Sequence, residues 1–214
     1  GGILAVHAEG RGKDAIWSAL KNKNVYGTSG PRILLWFDLI NSPEGQVPMG
    51  SEITMSQNPR FIVRAAGSFK QKSGCSNESI DSLSAKRLDY LCAGECYNPS
   101  NQREVIEKIE VIKITPQVYA GEAISPLIQD PWKSIPCQGK GECIVEFEDQ
   151  DFSRDSVYYV RAIQNPTPAI NGSPLSQRDN FELCKGSFRT DLEDDCLSMT
   201  HERAWSSPIY IDKP

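Results

Sequence analysis

The charged residues Glu9 and Arg11 are the best candidates in the sequence for a chemical role. They share the turn Glu9-Gly10-Arg11-Gly12, which follows the apolar run Ile3–Val6. Barrel enzymes place their active sites at the carboxyl ends of strands, and an arginine in such a loop suits an anionic substrate group. The competing interpretation is a solvated turn with a local ion pair. We expect Glu9 and Arg11 to contribute to an active site in a longer protein, and we expect no catalytic residue in this chain by itself.

Neither of the two histidines of the chain is expected to bind a metal ion. His7 has apolar neighbours, which favours a packed or partly exposed ring, and His201 lies in a polar stretch and is expected at the surface. A metal site needs several ligands that converge, and the sequence contains no H-x-H and no D-x-H motif. It therefore predicts no metal or other cofactor in this chain.

An acidic cluster and a Thr-Ser-Gly-Pro stretch are weaker candidates for chemistry. Four carboxylates lie close together in one segment: Asp191, Glu193, Asp194 and Asp195. Calcium binds such groups, but the spacing is not that of an EF-hand and its central glycine is missing, so a solvated acidic loop is favoured. The stretch Thr28-Ser29-Gly30-Pro31 lacks the G-x-S-x-G pattern of a nucleophile. It is typical of a strand that leads into a Gly-Pro turn.

The seven cysteines indicate disulfide bonds and an oxidising compartment. They are Cys75, Cys92, Cys96, Cys137, Cys143, Cys184 and Cys196, and they lie in segments rich in Gly, Asn, Asp and Ser. Local spacing predicts the pairs Cys137–Cys143 and Cys184–Cys196. Cys75 then pairs with Cys92 or with Cys96, which leaves one odd thiol. A zinc site is disfavoured because paired C-x-x-C motifs are absent, and a reduced set of buried cysteines is the other alternative.

Composition and charge exclude several classes of partner. The 214 residues are 39% hydrophobic and 24% charged, which is ordinary for a globular protein. The net charge of -5 and the absence of a Lys/Arg cluster exclude a nucleic-acid binder. The longest apolar stretch is far shorter than the ~20 residues of a membrane span. No feature of the sequence specifies an oligomeric state.

The pattern of apolar residues predicts one β-α unit followed by a domain of strands. The run Ile3–Val6 is typical of a strand covered on both faces, and Ala15, Ile16, Ala19 and Leu20 form a helical stripe. Strands are predicted over 32–40, 60–66, 106–115, 143–147, 157–163 and 208–211, and one helix over 79–91. Long loops are expected over 116–141 and 164–199.

These elements predict a mainly β fold. We expect an antiparallel β-sandwich, immunoglobulin- or fibronectin-like, with long disulfide-stapled loops. Residues 1–31 are expected to form a terminal β-α unit, and residues 32–214 the sandwich with the helical insertion near 79–91. A single β-α unit cannot build a parallel sheet, so the remaining units are expected before this chain in a longer product.

Several stretches together carry a family resemblance. Three of them lie in the β-α region: residues 2–11 (GILAVHAEGR), 15–20 (AIWSAL) and 25–33 (VYGTSGPRI). Four more follow: 67–72 (GSFKQK), 92–99 (CAGECYNP), 158–162 (YYVRA) and 204–209 (AWSSPI). The chain resembles the carboxyl-terminal region of a bacterial family catalogued as a domain of unknown function. That family is similar to polymerase-and-histidinol-phosphatase-like (PHP-like) metallohydrolases and is related to carbaryl hydrolase.

The resemblance implies a non-catalytic region of a larger metal-dependent hydrolase. It implies that residues 1–31 are the β-α unit left over from an upstream α/β barrel. Divalent metal ions and their His and Asp ligands are expected in that barrel, which is also the expected partner of this chain. Relatives usually carry Glu at the position of Glu9 and often Trp at that of His7, which argues against His7 as a ligand. The parent protein is expected to be exported, periplasmic or extracellular, with an ester, phosphoester or amide substrate.

A binding module that stands alone is the alternative function. The aromatic residues Trp36, Trp132, Trp205, Tyr158 and Tyr159 offer the flat apolar faces on which sugars stack. Such residues more often fill a sandwich core. In this interpretation the long loops recognise a glycan or a protein partner, and no upstream barrel is needed.

Overall fold

The computed structural model describes residues 2–92, 96–170 and 197–214, and within these ranges the chain is mainly β. Three helices are α1 (Lys13–Lys21), α2 (Asn77–Ser82) and α3 (Ala85–Cys92). The strands are β1 (Ile3–Val6), β2 (Val25–Thr28), β3 (Leu34–Ser42), β4 (Gly45–Pro48), β5 (Glu52–Thr54), β6 (Arg60–Ala66), β7 (Phe69–Ser73), β8 (Tyr97–Arg103), β9 (Ile106–Ile114), β10 (Ile128–Pro136), β11 (Glu142–Glu148), β12 (Ser156–Ile170), β13 (Leu197–Ser206) and β14 (Ile209–Asp212).

The strands form three sheets. The largest has eight strands, in the order β1-β2-β13-β12-β14-β5, with β9 paired to β12 and β10 paired to β9. A four-stranded sheet has the order β11-β6-β3-β4, and β7 pairs with β8 alone. The described pairs are antiparallel except for β14 with β5, which run parallel.

The chain divides into two compact units. One comprises residues 1–68, 104–165 and 202–214, and it contains the four-stranded sheet and most of the eight-stranded one. The other comprises the described residues within 69–103 and 166–201, and it contains the pair β7–β8 with the helices α2 and α3.

The two larger sheets share one hydrophobic core. Phe37 and Phe61 from the four-stranded sheet and Tyr158 from the eight-stranded sheet are fully buried. The ring centroids of Phe61 and Tyr158 are 4.8 Å apart. In β6 the residues alternate between buried and exposed, as a strand with one face in a core requires. Burying such a side chain stabilises a fold by roughly 1.5–3 kcal/mol, so the core carries the antiparallel architecture expected from the pattern.

The first β-α unit differs from its prediction in one respect. Helix α1 forms as expected and ends before Lys23, whose φ of 59° breaks the helical path. Strand β1, however, is not covered on both faces. It lies at the edge of the eight-stranded sheet, antiparallel to β2, and Leu4 is 59% exposed. The apolar run predicts the strand correctly, but it does not by itself supply the layers that would bury it.

The helical insertion and one long loop also differ from the prediction. The single helix expected over 79–91 is two helices, because Ser84 interrupts it and its Oγ accepts a hydrogen bond from the backbone N–H of Arg87, as a helix-capping residue does. The segment 116–141, expected as a loop, contains β10. Its register with β9 shifts between Gln129 and Lys133, around Pro131, because proline has no N–H to donate to a ladder.

Candidate functional site

The turn after β1 borders the clearest candidate site. A cavity of about 340 Å³ opens there. Its lining residues come from the β1 turn, the end of α1, β3 and the end of β4: His7, Ala8, Glu9, Asn24, Trp36, Asp38, Pro48 and Met49. The predicted site residue Glu9 is thus part of a real concavity. The predicted Arg11 is exposed and is not one of these lining residues.

A close backbone approach holds two walls of this cavity together. Gly50 follows Met49 and has a φ of +91°. A Cβ atom at this position would lie 2.5 Å from the carbonyl oxygen of Asn22. The absence of a side chain therefore lets the end of β4 pack against the residues that follow α1. This brings Pro48 and Met49 opposite Asn24.

His7 is held in one orientation on the cavity wall. Its Nε2 lies 2.8 Å from the carbonyl oxygen of Leu35, and its backbone N–H donates to the carbonyl oxygen of Asn24 at 2.9 Å. The imidazole centroid lies 5.2 Å from the ring of Tyr26 and 5.8 Å from that of Trp36. As expected from its apolar neighbours, the residue is packed and partly buried.

Asp38 is the acidic residue of the cavity that sequence reasoning missed. It is only 8% exposed. Its Oδ2 accepts hydrogen bonds from Gln46 Nε2 at 2.9 Å and from Arg64 at 3.4 Å. A signal is present in the sequence, because Asp38 interrupts the apolar run within Leu34–Ser42 and alternation places it on the same face as Trp36. Its partners lie on other strands, so the sequence alone does not show how its charge is accommodated.

A second polar group lies in the core and not at a surface. Lys113 and Tyr158 both donate hydrogen bonds to Oδ2 of Asp149 at 2.5 Å. Burial and the neighbouring carboxylate raise the pKa of the Tyr158 phenol far above its ordinary value, so it stays protonated and remains a donor. Lys113 also lies 5.4 Å from the centroid of Trp132. Tyr158 and Trp132, considered above as parts of a sugar platform, instead pack on the core.

The described cysteines lie at disulfide distances. Cys137 and Cys143 are bonded, as predicted, with their Cα atoms 5.7 Å apart. Cys96 lies within bonding reach of both Cys75 and Cys92, with Cα separations of 4.8 and 5.3 Å. A sulfur atom forms one disulfide, so one of these two pairs exists at a time. The three sulfurs form the one set of possible metal ligands found among the described residues.

Other sequence candidates are placed as follows. Ser29 accepts a hydrogen bond from the backbone N–H of Arg203 at 2.9 Å and contacts Glu202, so it ties the turn to β13. The predicted pair Cys184–Cys196 and the calcium candidates Asp191, Glu193, Asp194 and Asp195 lie outside the described residues. No helix in the described ranges has both the length and the apolar composition that a bilayer crossing requires.

Comparison with known proteins identifies a family and no characterised relative. A family model described as "Protein of unknown function (DUF3604)" matches residues 1–73 and 134–213. The matched segments contain every residue that lines the cavity. They leave out residues 74–133 and therefore the three cysteines of the cluster. No curated protein and no solved structure matches the chain.

Proposed function

We propose that this chain, which belongs to the family of proteins of unknown function, is the accessory region of a metal-dependent hydrolase. In this proposal an upstream PHP-like barrel holds the divalent metal ions. Residues 32–214 form an immunoglobulin-like sandwich beside the barrel, and the β1–α1 unit completes it. The chain by itself does not catalyse the reaction. Its role is to stabilise the barrel and to shape the mouth of the active site.

The observation that carries this proposal is an exposed apolar surface on the first β-α unit. Five large apolar side chains of β1 and α1 are exposed, with exposed fractions between 37% and 63%: Ile3, Leu4, Ile16, Trp17 and Leu20. Ile16, Trp17 and Leu20 lie at neighbouring positions of α1, and a group of exposed apolar side chains of this kind marks an interaction surface. In addition, β1 is the edge strand of its sheet, so its outer backbone groups can pair with another strand. The exposed apolar side chains and the outer edge of β1 are both features that a further layer of strands and helices, packed on this unit, would cover.

The position of Glu9 connects this surface to chemistry. Glu9 follows β1 directly, so a barrel that includes β1 has the Glu9 turn at the carboxyl end of that strand, where barrels hold their active sites. The cavity beside Glu9 is about 340 Å³, which is within the range of small-molecule sites. It offers the two carboxylates of Glu9 and Asp38, the amide of Asn24 and the aromatic rings of His7 and Trp36. We propose that it receives part of an ester, phosphoester or amide substrate.

The cysteine bonds support export of the parent protein. Cys137–Cys143 and a bond of Cys96 occur in the described residues. Disulfides persist in the periplasm and outside the cell and are rare in a reducing cytosol. We therefore propose a periplasmic or extracellular location in a bacterial host.

The test compares the 214-residue chain with the longer gene product that contains the proposed barrel. Both are assayed for metal content and for hydrolysis of ester, phosphoester and amide substrates. We expect bound divalent metal and turnover with the longer product alone. In that product the Glu9→Gln variant should lose turnover, whereas Glu44→Gln, an exposed control on the β3–β4 turn, should keep it. Turnover by the 214-residue chain at the rate of the longer product would refute the proposal.

A binding module that stands alone is the second candidate. Trp36 is 36% exposed and lines the cavity together with Asn24, Asp38 and Glu9. An aromatic face with nearby carboxylates and amides is the composition by which proteins bind sugars or other polar small molecules. Isothermal titration of the 214-residue chain with oligosaccharides distinguishes the two functions. Binding that is lost in Trp36→Ala, in a gene product without a barrel, would favour the module.

A further inference from the structure

We infer that Cys75, Cys92 and Cys96 form a thiol–disulfide exchange site. Cys96 keeps a disulfide bond that moves between Cys75 and Cys92, and the thiol that remains takes up a small disulfide as a mixed disulfide. The three cysteines lie outside the segments that match the family of proteins of unknown function. The site is therefore an activity in addition to the proposed hydrolysis and does not depend on it.

The β7–β8 pair and helix α3 bring the three cysteines together. At the end of the β7–β8 pair, the backbone N–H of Gly74 donates to the carbonyl oxygen of Cys96 at 2.8 Å. This bond holds Cys75, the next residue along the chain, beside Cys96. Cys92 is the last residue of α3, and the sulfur atoms of the three cysteines all lie within 4.8 Å of one another.

The distances allow Cys96 either partner and leave the third cysteine in contact with the bond. The Cα atom of Cys96 lies 4.8 Å from that of Cys75 and 5.3 Å from that of Cys92. Both separations lie within the range of about 4.4–6.8 Å that disulfides span. Since Cys96 bonds one partner at a time, the other cysteine is a thiol. The Sγ atoms of Cys75 and Cys92 are 3.8 Å apart, so this thiol lies against the disulfide.

Movement of the bond within the cluster balances without a further reactant. In a molecule with the bond Cys75–Cys96, the thiolate of Cys92 attacks the Cys96 sulfur. A bond between Cys92 and Cys96 forms, the bond between Cys75 and Cys96 breaks, and Cys75 leaves with the electron pair as a thiolate. The proton that Cys92 gave to water returns from water to Cys75. The number of disulfides is unchanged, and the reverse reaction follows the same path.

A cavity beside the cluster gives a small reactant access to the thiol. Its volume is about 420 Å³, which is within the range of small-molecule sites. The three cysteines line it together with Leu88 and Leu91 of α3, and all three are half-buried and not enclosed. The thiolate attacks one sulfur of a small disulfide there. A bond from the protein to that sulfur forms, the bond within the small disulfide breaks, and its other half leaves as a thiolate. The small disulfide is the oxidant of this step.

Peptide mapping of the wild-type 214-residue chain tests the movement of the bond. The protein is kept at mildly alkaline pH without reductant, alkylated rapidly with N-ethylmaleimide and digested. We expect the label on Cys75 in some molecules and on Cys92 in others, with Cys96 always in a disulfide to the unlabelled one. A label confined to one of the two positions, a label on Cys96, or a bond from Cys75 or Cys92 to Cys184 or Cys196 would overturn the inference.

Mass spectrometry with 2-hydroxyethyl disulfide as the probe tests the uptake. The wild-type chain should gain one mixed disulfide in the cluster, on Cys75 or on Cys92. In Cys75→Ser and in Cys92→Ser the cysteine that remains is bonded to Cys96, so each variant should lose this uptake. The two variants test the same point independently, in case one of them fails to fold. A wild-type cluster that takes up no probe, or a variant cluster that still takes it up, would overturn the inference.

Discussion

At the scale of single residues, the buried Asp149 does more for stability than the exposed ion pairs of the chain. It is 1% exposed and accepts from both Lys113 and Tyr158. Charges in such a place are favourable only when their partners are present, because water no longer solvates them. The group connects β9 and β12 of the eight-stranded sheet to the end of β11 in the four-stranded sheet. It therefore links the two sheets by buried hydrogen bonds.

The Asp149→Ala variant should be strongly destabilised. Removal of the carboxylate leaves the buried Lys113 ammonium and the Tyr158 hydroxyl without their acceptor, and breaking a buried pair costs about 3–5 kcal/mol. Urea unfolding followed by tryptophan fluorescence measures the change. Glu146→Ala is the matched control, because Glu146 pairs with Arg60 at 3.9 Å on the surface, and such a pair contributes about 0–1 kcal/mol. Equal losses in the two variants would contradict the argument.

A second prediction at this scale concerns the cysteine cluster. Cys96 can bond to Cys75 or to Cys92, but not to both. Alkylation without reductant followed by peptide mapping should recover Cys137 linked to Cys143 and Cys96 linked to one partner. The remaining cysteine of the three should carry the alkyl label. Alkylation of all three would show that the cluster is reduced, and the argument for an oxidising compartment would lose this support.

At the scale of elements, the loop between β9 and β10 is closed by one arginine. Arg154 donates to both carboxylate oxygens of Glu122, at 2.9 and 3.0 Å, and also to the carbonyl oxygen of Pro116. Glu122 in turn accepts from the backbone N–H of Val118 at 2.8 Å. These bonds order a segment that has no regular structure between β9 and the short helical turn before β10.

Acid should open this loop. The hydrogen bonds from Arg154 lower the pKa of Glu122 from 4.5 to about 2. A carboxyl whose pKa is lower in the folded state stabilises the fold above its unfolded pKa, and this contribution is lost as the pH falls from about 4.5 to 2. Amide hydrogen exchange of residues 116–122 should therefore quicken over that range. In Glu122→Gln the exchange should already be fast at pH 6 and should change little with acid beyond the intrinsic effect of pH. An unchanged exchange rate in the variant would contradict the prediction.

The strands that the sequence predicts are those with one face in the core and the other face nearer to solvent. In β6 buried residues alternate with more exposed ones because one face meets the core, and in β9 isoleucine and valine recur among Glu and Lys. The predictions over 60–66 and 106–115 therefore lie close to the observed strands. Strand β7 is not predicted because all five of its residues are exposed, and β10 is not predicted because Pro131 resembles a loop signal. The candidate site follows the same rule. The charged turn after an apolar strand indicates Glu9. Asp38 meets its partners Gln46 and Arg64 only because β3 pairs with β4 and with β6, and no local sequence pattern shows that pairing.

At the scale of the whole molecule, the first β-α unit is joined to the rest through sheet pairing and still exposes apolar side chains. Strand β2 pairs with β13 as well as with β1, so residues 1–31 belong to the same sheet as the later strands. Trp17 is 63% exposed on α1. The proposed barrel gives these side chains a covering surface, which the described residues do not provide.

The Trp17→Asp variant should separate the two forms of the protein. In the 214-residue chain the side chain is mainly in water, so the melting temperature should change little. In the longer gene product the same change places a charge in the proposed interface and should lower the melting temperature by several degrees. Ile144→Asp is the control, because Ile144 is 65% exposed on β11, away from the first unit in sequence. Equal shifts for both variants in the longer product would contradict the proposed interface.

The strand order also determines when the molecule can be completed during translation. Strand β2, at residues 25–28, reaches the eight-stranded sheet through β13, which spans residues 197–206. The β1–β2 hairpin can therefore join this sheet only after β13 has been synthesised, although His7 already contacts Leu35 of β3. Until then the edge of β2 that pairs with β13 is open to other chains, and unpaired strand edges of this kind promote aggregation. The residues that line the cavity beside Glu9 all lie between positions 7 and 49, so its walls are synthesised early, whereas the strand that anchors β2 in the eight-stranded sheet is synthesised late.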